Sequence, residues 1–166
     1  ISAVKEEQSL ILISPNRKLT RMVSAYLSNW DIIPDDSAGV PLQLTPSGRF
    51  LRLVVSLFTG PITTTKIFAV LKHPLTHSGG DFRTDHLAFV QSLELFFRTA
   101  DVSMFSPESI YIWLREAKNP YASKWASWIC NILETCKLRD SHVFEEILDK
   151  HIEIANSLAS GPDQNE

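Results

Sequence analysis

Asp35 and Asp36 stand side by side at the end of a short apolar stretch, where a carboxylate pair can hold a magnesium ion. Such a site needs a further carboxylate, and no spacing in the chain supplies one. An Asx turn running into Ser37 and Gly39 accounts for the pair with less. His73, His77 and His86 are the other metal-capable set. His73 and His77 flank Pro74 and so lack one-turn helical geometry. His73 suits the C-terminal end of a helix, where a partly positive imidazole is favoured. Cys130 and Cys136 lie six apart in a helical stretch, on separated faces, which argues for two reduced thiols rather than a bridge. Without further Cys or an HxxxH pair they do not form a zinc or iron–sulfur set.

Neither Ser37-Ala38-Gly39 nor Ser78-Gly79-Gly80 has the glycine spacing and Lys-Ser/Thr ending of a phosphate loop. The chain also lacks a GxSxG elbow, an HExxH pair and a dinucleotide fingerprint, so it offers no candidate nucleophile and no cofactor site. What it offers is cations. Arg49, Arg52, Lys66 and Lys72 surround the stretch from Ile33 to Leu75, and Arg17, Lys18 and Arg21 precede it. Arg17, Lys18, Arg49, Arg52 and Lys72 are the candidates for phosphate contact, against the commoner role of solvated charges on amphipathic faces. Trp113, Trp125 and Trp128 could stack on bases, but their helical spacing favours a place in the core.

The totals narrow the class. The chain has 166 residues, 44% of them hydrophobic, enough for one domain with a real core. Its 16 basic and 19 acidic residues leave a net charge of −3, which argues against a dedicated nucleic-acid module without excluding a local patch. No apolar run reaches the ~20 residues of a membrane span. Lys5, Glu6 and Glu7 precede only a short apolar run, which is not the pattern of a signal peptide. A cytoplasmic setting is expected, and the start at Ile1 suits a fragment of something longer.

The elements that position these groups follow from periodicity and punctuation. Ser9 to Ser14 (SLILIS) is an apolar run of strand length, suited to a central parallel strand. Asn16 can cap a helix carrying Leu19, Met22, Val23, Tyr26, Leu27 and Trp30, and Asp31-Ile32-Ile33 suits a second short strand. Thr45 as cap and Pro46 in the first turn start a helix to Thr59; Gly60-Pro61 ends it, and a further helix runs to Lys72 before His73-Pro74. Asp81 or Thr84 can cap a helix to about Arg98. Ser106-Pro107 opens the next, Asn119-Pro120 breaks it, and the last helix starts near Asp140 or Ser141. The expectation is a mostly α chain with a small βαβ piece at the N-terminus, followed by a linking helix and five more helices. A two-stranded sheet is not stable alone, so its missing strands must come from elsewhere.

The run LILISPNRKLTRMVSAYLSNWDIIPDDSAGVPLQLTPSGRFLRLV resembles the start of the second motor domain of UvrD-like superfamily 1 DNA helicases. The segment DDSAG-x-PL-x-x-TP-x-G-x-F-L-R-L, the ending LKHPL and the later TDHLAFVQSLEL are similar to the AddB family, a subunit of bacterial AddAB helicase–nucleases. The loop residues Asp35, Asp36, Ser37, Gly39, Pro41, Thr45 and Pro46 carry the likeness. It implies residues 1–60 as part of a helicase-like second motor domain and 61–159 as an inserted helical domain; the polar, Gly- and Pro-bearing composition of 160–166 reads as a disordered tail. It further implies a parent protein that repairs double-strand breaks, with DNA and the AddA subunit as partners and ATP, magnesium and an iron–sulfur cluster outside this segment. Active helicases of this type place at the strand-end turn an Arg that reaches the γ-phosphate. Here Ser14-Pro15-Asn16 stands there, so the segment is expected to be catalytically silent. A free-standing helical interaction module is the alternative, with a magnesium-dependent enzyme at Asp35-Asp36 far behind.

Overall fold

The computed structural model describes residues 9–78, 82–102, 104–117, 119–137 and 144–162, and the chain divides into two compact units at residues 39 and 40. The described residues hold seven α-helices and no strand. In the N-terminal unit, Asn16 caps α1 (Arg17–Ser28), its side-chain oxygen accepting from the amides of Lys18 and Leu19. Residues 9–13 ahead of it have no regular secondary structure, with Leu10, Ile11, Leu12 and Ile13 54–90% exposed and in no ladder. The expected βαβ piece is therefore not formed among the described residues. A strand exists only when a neighbour accepts its amides, and the described chain offers SLILIS none. Asp31-Ile32-Ile33 likewise forms a turn end, with Asp31 at φ 55°, and not a strand.

The second unit opens with a 3-10 turn, Leu42–Leu44, that feeds α2 (Pro46–Phe58). The Thr45 hydroxyl accepts from Gly48 N–H (3.1 Å) and donates to Leu42 O (2.6 Å), fastening the turn to the helix start. Gly48 is the residue this arrangement requires. A Cβ there would sit 1.9 Å from the carbonyl oxygen of Leu42, so the turn crosses the helix where only a hydrogen fits. The TP-x-G run thus has a steric meaning: cap, first-turn proline, then a bare backbone under the turn.

α2 buries Phe50, Val54 and Leu57 and packs against α3 (Thr64–Leu71), α6 (Pro120–Lys137) and α7 (Phe144–Ser160). It belongs to the helical core of the unit that begins at Val40. α3 packs on α4 (Arg83–Thr99), α4 on α5 (Pro107–Glu116), α5 on α6, and α6 on α7. Ser106 caps α5 with Pro107 behind it, as expected. α4 starts after Phe82 with no side-chain cap; Thr84 lies inside its first turn, and Asp81 lies outside the described residues, as do Asp140 and Ser141 ahead of α7. The one isolated bridge among the described residues, Thr63 with Met104, ties the entry of α3 to the loop before α5. Phe68, Phe97 and Phe105 close the core beneath it.

Three polar side chains, Thr76, His77 and His86, are buried within the apolar core. His86 on α4 is fully buried. Its Nδ1 accepts from the indole N–H of Trp125 (2.9 Å), which leaves Nε2 as the protonated nitrogen, donating to Leu71 O (2.8 Å) at the end of α3. His77, at φ 52°, stacks on His86 with centroids 5.3 Å apart, and its backbone amide donates to Leu158 O of α7 (2.7 Å). Gly161, at φ 85°, lies against the His77 ring so closely that a Cβ would meet it at 2.3 Å. Gly161 and Pro162 are buried, so the tail is not frayed at this point; residues 163–166 lie outside the described residues.

Gly48→Ala forces the turn off α2 and is expected to lower stability by roughly 3 kcal/mol, against about 1 kcal/mol for Thr45→Ala, as read by urea unfolding. A second outcome concerns pH. Burial first, and the nearby charges of His77 and Arg83 after it, hold His86 down to about 4, from 6.5 in the unfolded chain. As pH falls from 6.5 toward 4 the unfolded chain takes the proton and the folded one does not, so stability is whole above 6.5 and drains across that window by about 3 kcal/mol. A His86→Gln variant unfolded by urea at pH 7 and 4.5 should lose most of that difference; an unchanged difference would clear His86 of it.

Candidate nucleic-acid interface

Arg49 and Arg52 stand one turn apart on α2, exposed, while Phe50, Val54 and Leu57 anchor the helix on its other side. Arg52 borders an open groove of about 420 Å³ whose wall includes Leu42, Leu51, Val55 and His151. His151 closes one end, its Nε2 3.1 Å from Leu51 O. Arg49 lies near His73, whose ring meets Phe50 at 5.2 Å. Burial, then Arg49, then Arg83 lower the His73 pKa below its ordinary value. Its Nδ1 accepts from Leu75 N–H (3.2 Å). The imidazole that meets the end of α3 is His86, not His73.

Lys72 is not a bare cation. Its Nζ donates to Glu94 Oε2 (2.5 Å), and Arg98 donates to Glu94 Oε1 (2.8 Å). The Lys72 bond is the leading reason the Glu94 carboxyl is held below its ordinary value. The three charges edge an open groove of about 670 Å³ with Thr64, Thr65 and Asp101. Lys66 is occupied too, donating to Thr59 O and Pro61 O and so securing the turn between α2 and α3. Arg17 and Lys18 belong to the other compact unit, exposed in the first turn of α1. Cations at that end oppose the helix dipole by a few tenths of a kcal/mol, so helix stability alone does not select them.

The loop residues have structural roles. Asp36 Oδ1 accepts from Ala38 N–H (2.9 Å) and its carbonyl from Gly39 N–H, an Asx turn with Gly39 at φ 62°. Asp35 and Ser37 are exposed beside it, and Pro41 introduces the 3-10 turn ahead of Thr45 and Pro46. Among the described residues no three His, Cys, Asp or Glu side chains gather to hold a metal. His77 and His86 are stacked rather than convergent, and both nitrogens of His86 are taken. Cys130 and Cys136 are buried thiols outside any disulfide, and burial pushes the Cys136 thiol up to about 12, away from reactivity.

The three tryptophans take the core place that their helical spacing favours. Trp113, Trp125 and Trp128 are buried, and their indole N–H groups donate to Ser92, His86 and Ser157. Trp30 and Tyr26, at the end of α1, are 62% and 66% exposed. Trp30 follows the last helical turn, a placement that its spacing with Tyr26 did not distinguish from a core face. No helix among the described residues is long and apolar enough to cross a membrane. No protein-family description, curated protein or solved structure matches this chain.

Proposed function

We propose that the chain is a non-catalytic segment of an AddB-type subunit of an ATP-dependent helicase–nuclease. In that setting it serves double-strand-break repair and recombination by packing against DNA or partner domains. The reading rests on the order of residues from Leu10 to Leu75, and one structural observation supports it. The unit at residues 9–39 presents an exposed apolar run followed by a capped helix with no buried residue, both without cover among the described residues. Leu10 and Leu12 point one way along such a run and Ile11 and Ile13 the other, so a strand made from it would need cover on both faces. A motor domain supplied from outside residues 9–162 would give that. Arg49 and Arg52 are the exposed pair best placed for backbone phosphates, with Arg17 and Lys18 as a second pair. ATP, magnesium and an iron–sulfur cluster would be held by other parts of such a protein.

A free-standing interaction module is the second reading, favoured by the apolar rows that α1 and α7 leave exposed. The two readings separate in one titration. The purified chain, followed by anisotropy of a labelled duplex with a single-stranded end, is expected to bind weakly, with affinity falling steeply as salt rises. Arg49→Ala with Arg52→Ala should lower the salt slope by about one unit for each phosphate that an arginine no longer neutralises. The same preparation should leave ATP intact. Turnover of ATP, or binding indifferent to both salt and the arginines, would remove the helicase reading.

A further inference from the structure

Open grooves on the helical unit differ in the charge they present. In the one edged by Lys72, Glu94 already holds Lys72 and Arg98, and Asp101 adds a second carboxylate. Another, of about 790 Å³ beside Leu95, Phe96 and Trp113, carries Glu116 and no cation. The groove of about 420 Å³ on α2 has Arg52 and no carboxylate in its lining. Arg52, Val55 and Thr59 follow one another by three and four residues, so the guanidinium and the apolar wall share one face of the helix. Leu42 lines the groove too, and it and Val55 are 67% and 43% exposed. Arg49 stands one turn before Arg52, and neither arginine enters an ion pair among the described residues. The Thr45 bonds and the Gly48 crossing fix the Leu42 turn against α2, so the groove is formed before anything enters it.

The geometry points to this groove as the docking site for an acidic, apolar segment of a partner protein. One large apolar side chain of the segment enters beside Leu42 and Val55, and carboxylates next to it meet Arg52 and Arg49. Charge selects the occupant. A basic segment sets like charges together, and a neutral one displaces water from Arg52 without supplying a counter-charge. The walls select it as well. No Phe, Tyr or Trp lines the groove, and the His151 ring is held through Nε2 to Leu51 O, so unpaired bases find no aromatic platform for stacking. A buried apolar anchor inside a charged rim is the ordinary core of a protein contact. The contact does not require the helicase reading. It uses the arginines assigned above to phosphates, so DNA and the segment compete for α2.

The test follows, by anisotropy, the whole chain binding a labelled helical peptide with Leu and Phe on one face and Glu beside them. The same peptide with Lys for Glu, or with Ala for Leu and Phe, changes the ligand and leaves the protein unaltered. Both should bind weaker by about tenfold or more. Arg49→Ala with Arg52→Ala, and Leu42→Ser with Val55→Ser, should each raise Kd for the acidic peptide by about tenfold. All four residues are exposed, so far-UV circular dichroism should be unchanged. The arginine pair should also flatten the salt dependence, and the Leu42 and Val55 pair should not. No binding of the acidic peptide, equal binding of either altered peptide, or indifference to either pair of substitutions overturns the assignment, even with DNA binding intact. So does a loss of single-stranded DNA affinity on changing Leu42 and Val55 with no peptide bound, which gives the groove to an unpaired base. Peptide binding without DNA binding upholds the groove and removes the helicase reading alone.

Discussion

The fold of the larger unit depends on a buried imidazole bonded at both nitrogens. An uncompensated polar group in that position would cost a few kcal/mol. His86 avoids the cost because an indole N–H meets one nitrogen and the last carbonyl of α3 meets the other. The same two bonds fix α3, α4 and α6 relative to one another. His77 extends the arrangement to α7 by stacking on His86 and donating its amide to Leu158, while Trp128 stands edge-on to both rings. The compensation is incomplete at one atom. His77 Nδ1 is buried without a partner, and its Nε2 reaches Tyr121 only at 3.5 Å.

From that centre outward, close approach sets where the cations stand. Gly48 lets the Leu42 carbonyl lie on α2, and the direction of α2 then puts Arg49 and Arg52 in solvent while Phe50 reaches the core. Lys66 holds the Gly60-Pro61 turn, which orients α3 and with it Lys72 and the Glu94–Arg98 pair. Interior chemistry and surface charge are therefore linked through backbone geometry, and no contact between a buried group and an arginine is required.

Much of the helical layout is legible in the residues alone. Asn16, Thr45-Pro46 and Ser106-Pro107 announce helix starts by local hydrogen bonding, which needs no knowledge of the rest of the chain. The strand is not legible in the same way. SLILIS has the right composition, but pairing depends on residues elsewhere, and the described chain contains no neighbour for it. The histidines escape local reading for a related reason: the partners of His86 lie 15 and 39 residues away, beyond any short pattern. The tail misleads through composition. Gly161 reads as a breaker, yet it closes α7 with its amide on Ser157 O and packs against His77.

The uncovered run at residues 9–13 has a practical consequence. With no backbone hydrogen bond to another described group, its amides exchange with deuterated solvent at nearly the rate of a free peptide. Inside a sheet the same amides would be among the slowest in the molecule. The four positions from Leu10 to Ile13 thus act as a native gauge of whether the missing layer is present. They can be followed by mass spectrometry in any longer polypeptide or complex that contains this segment, without labels or substitutions.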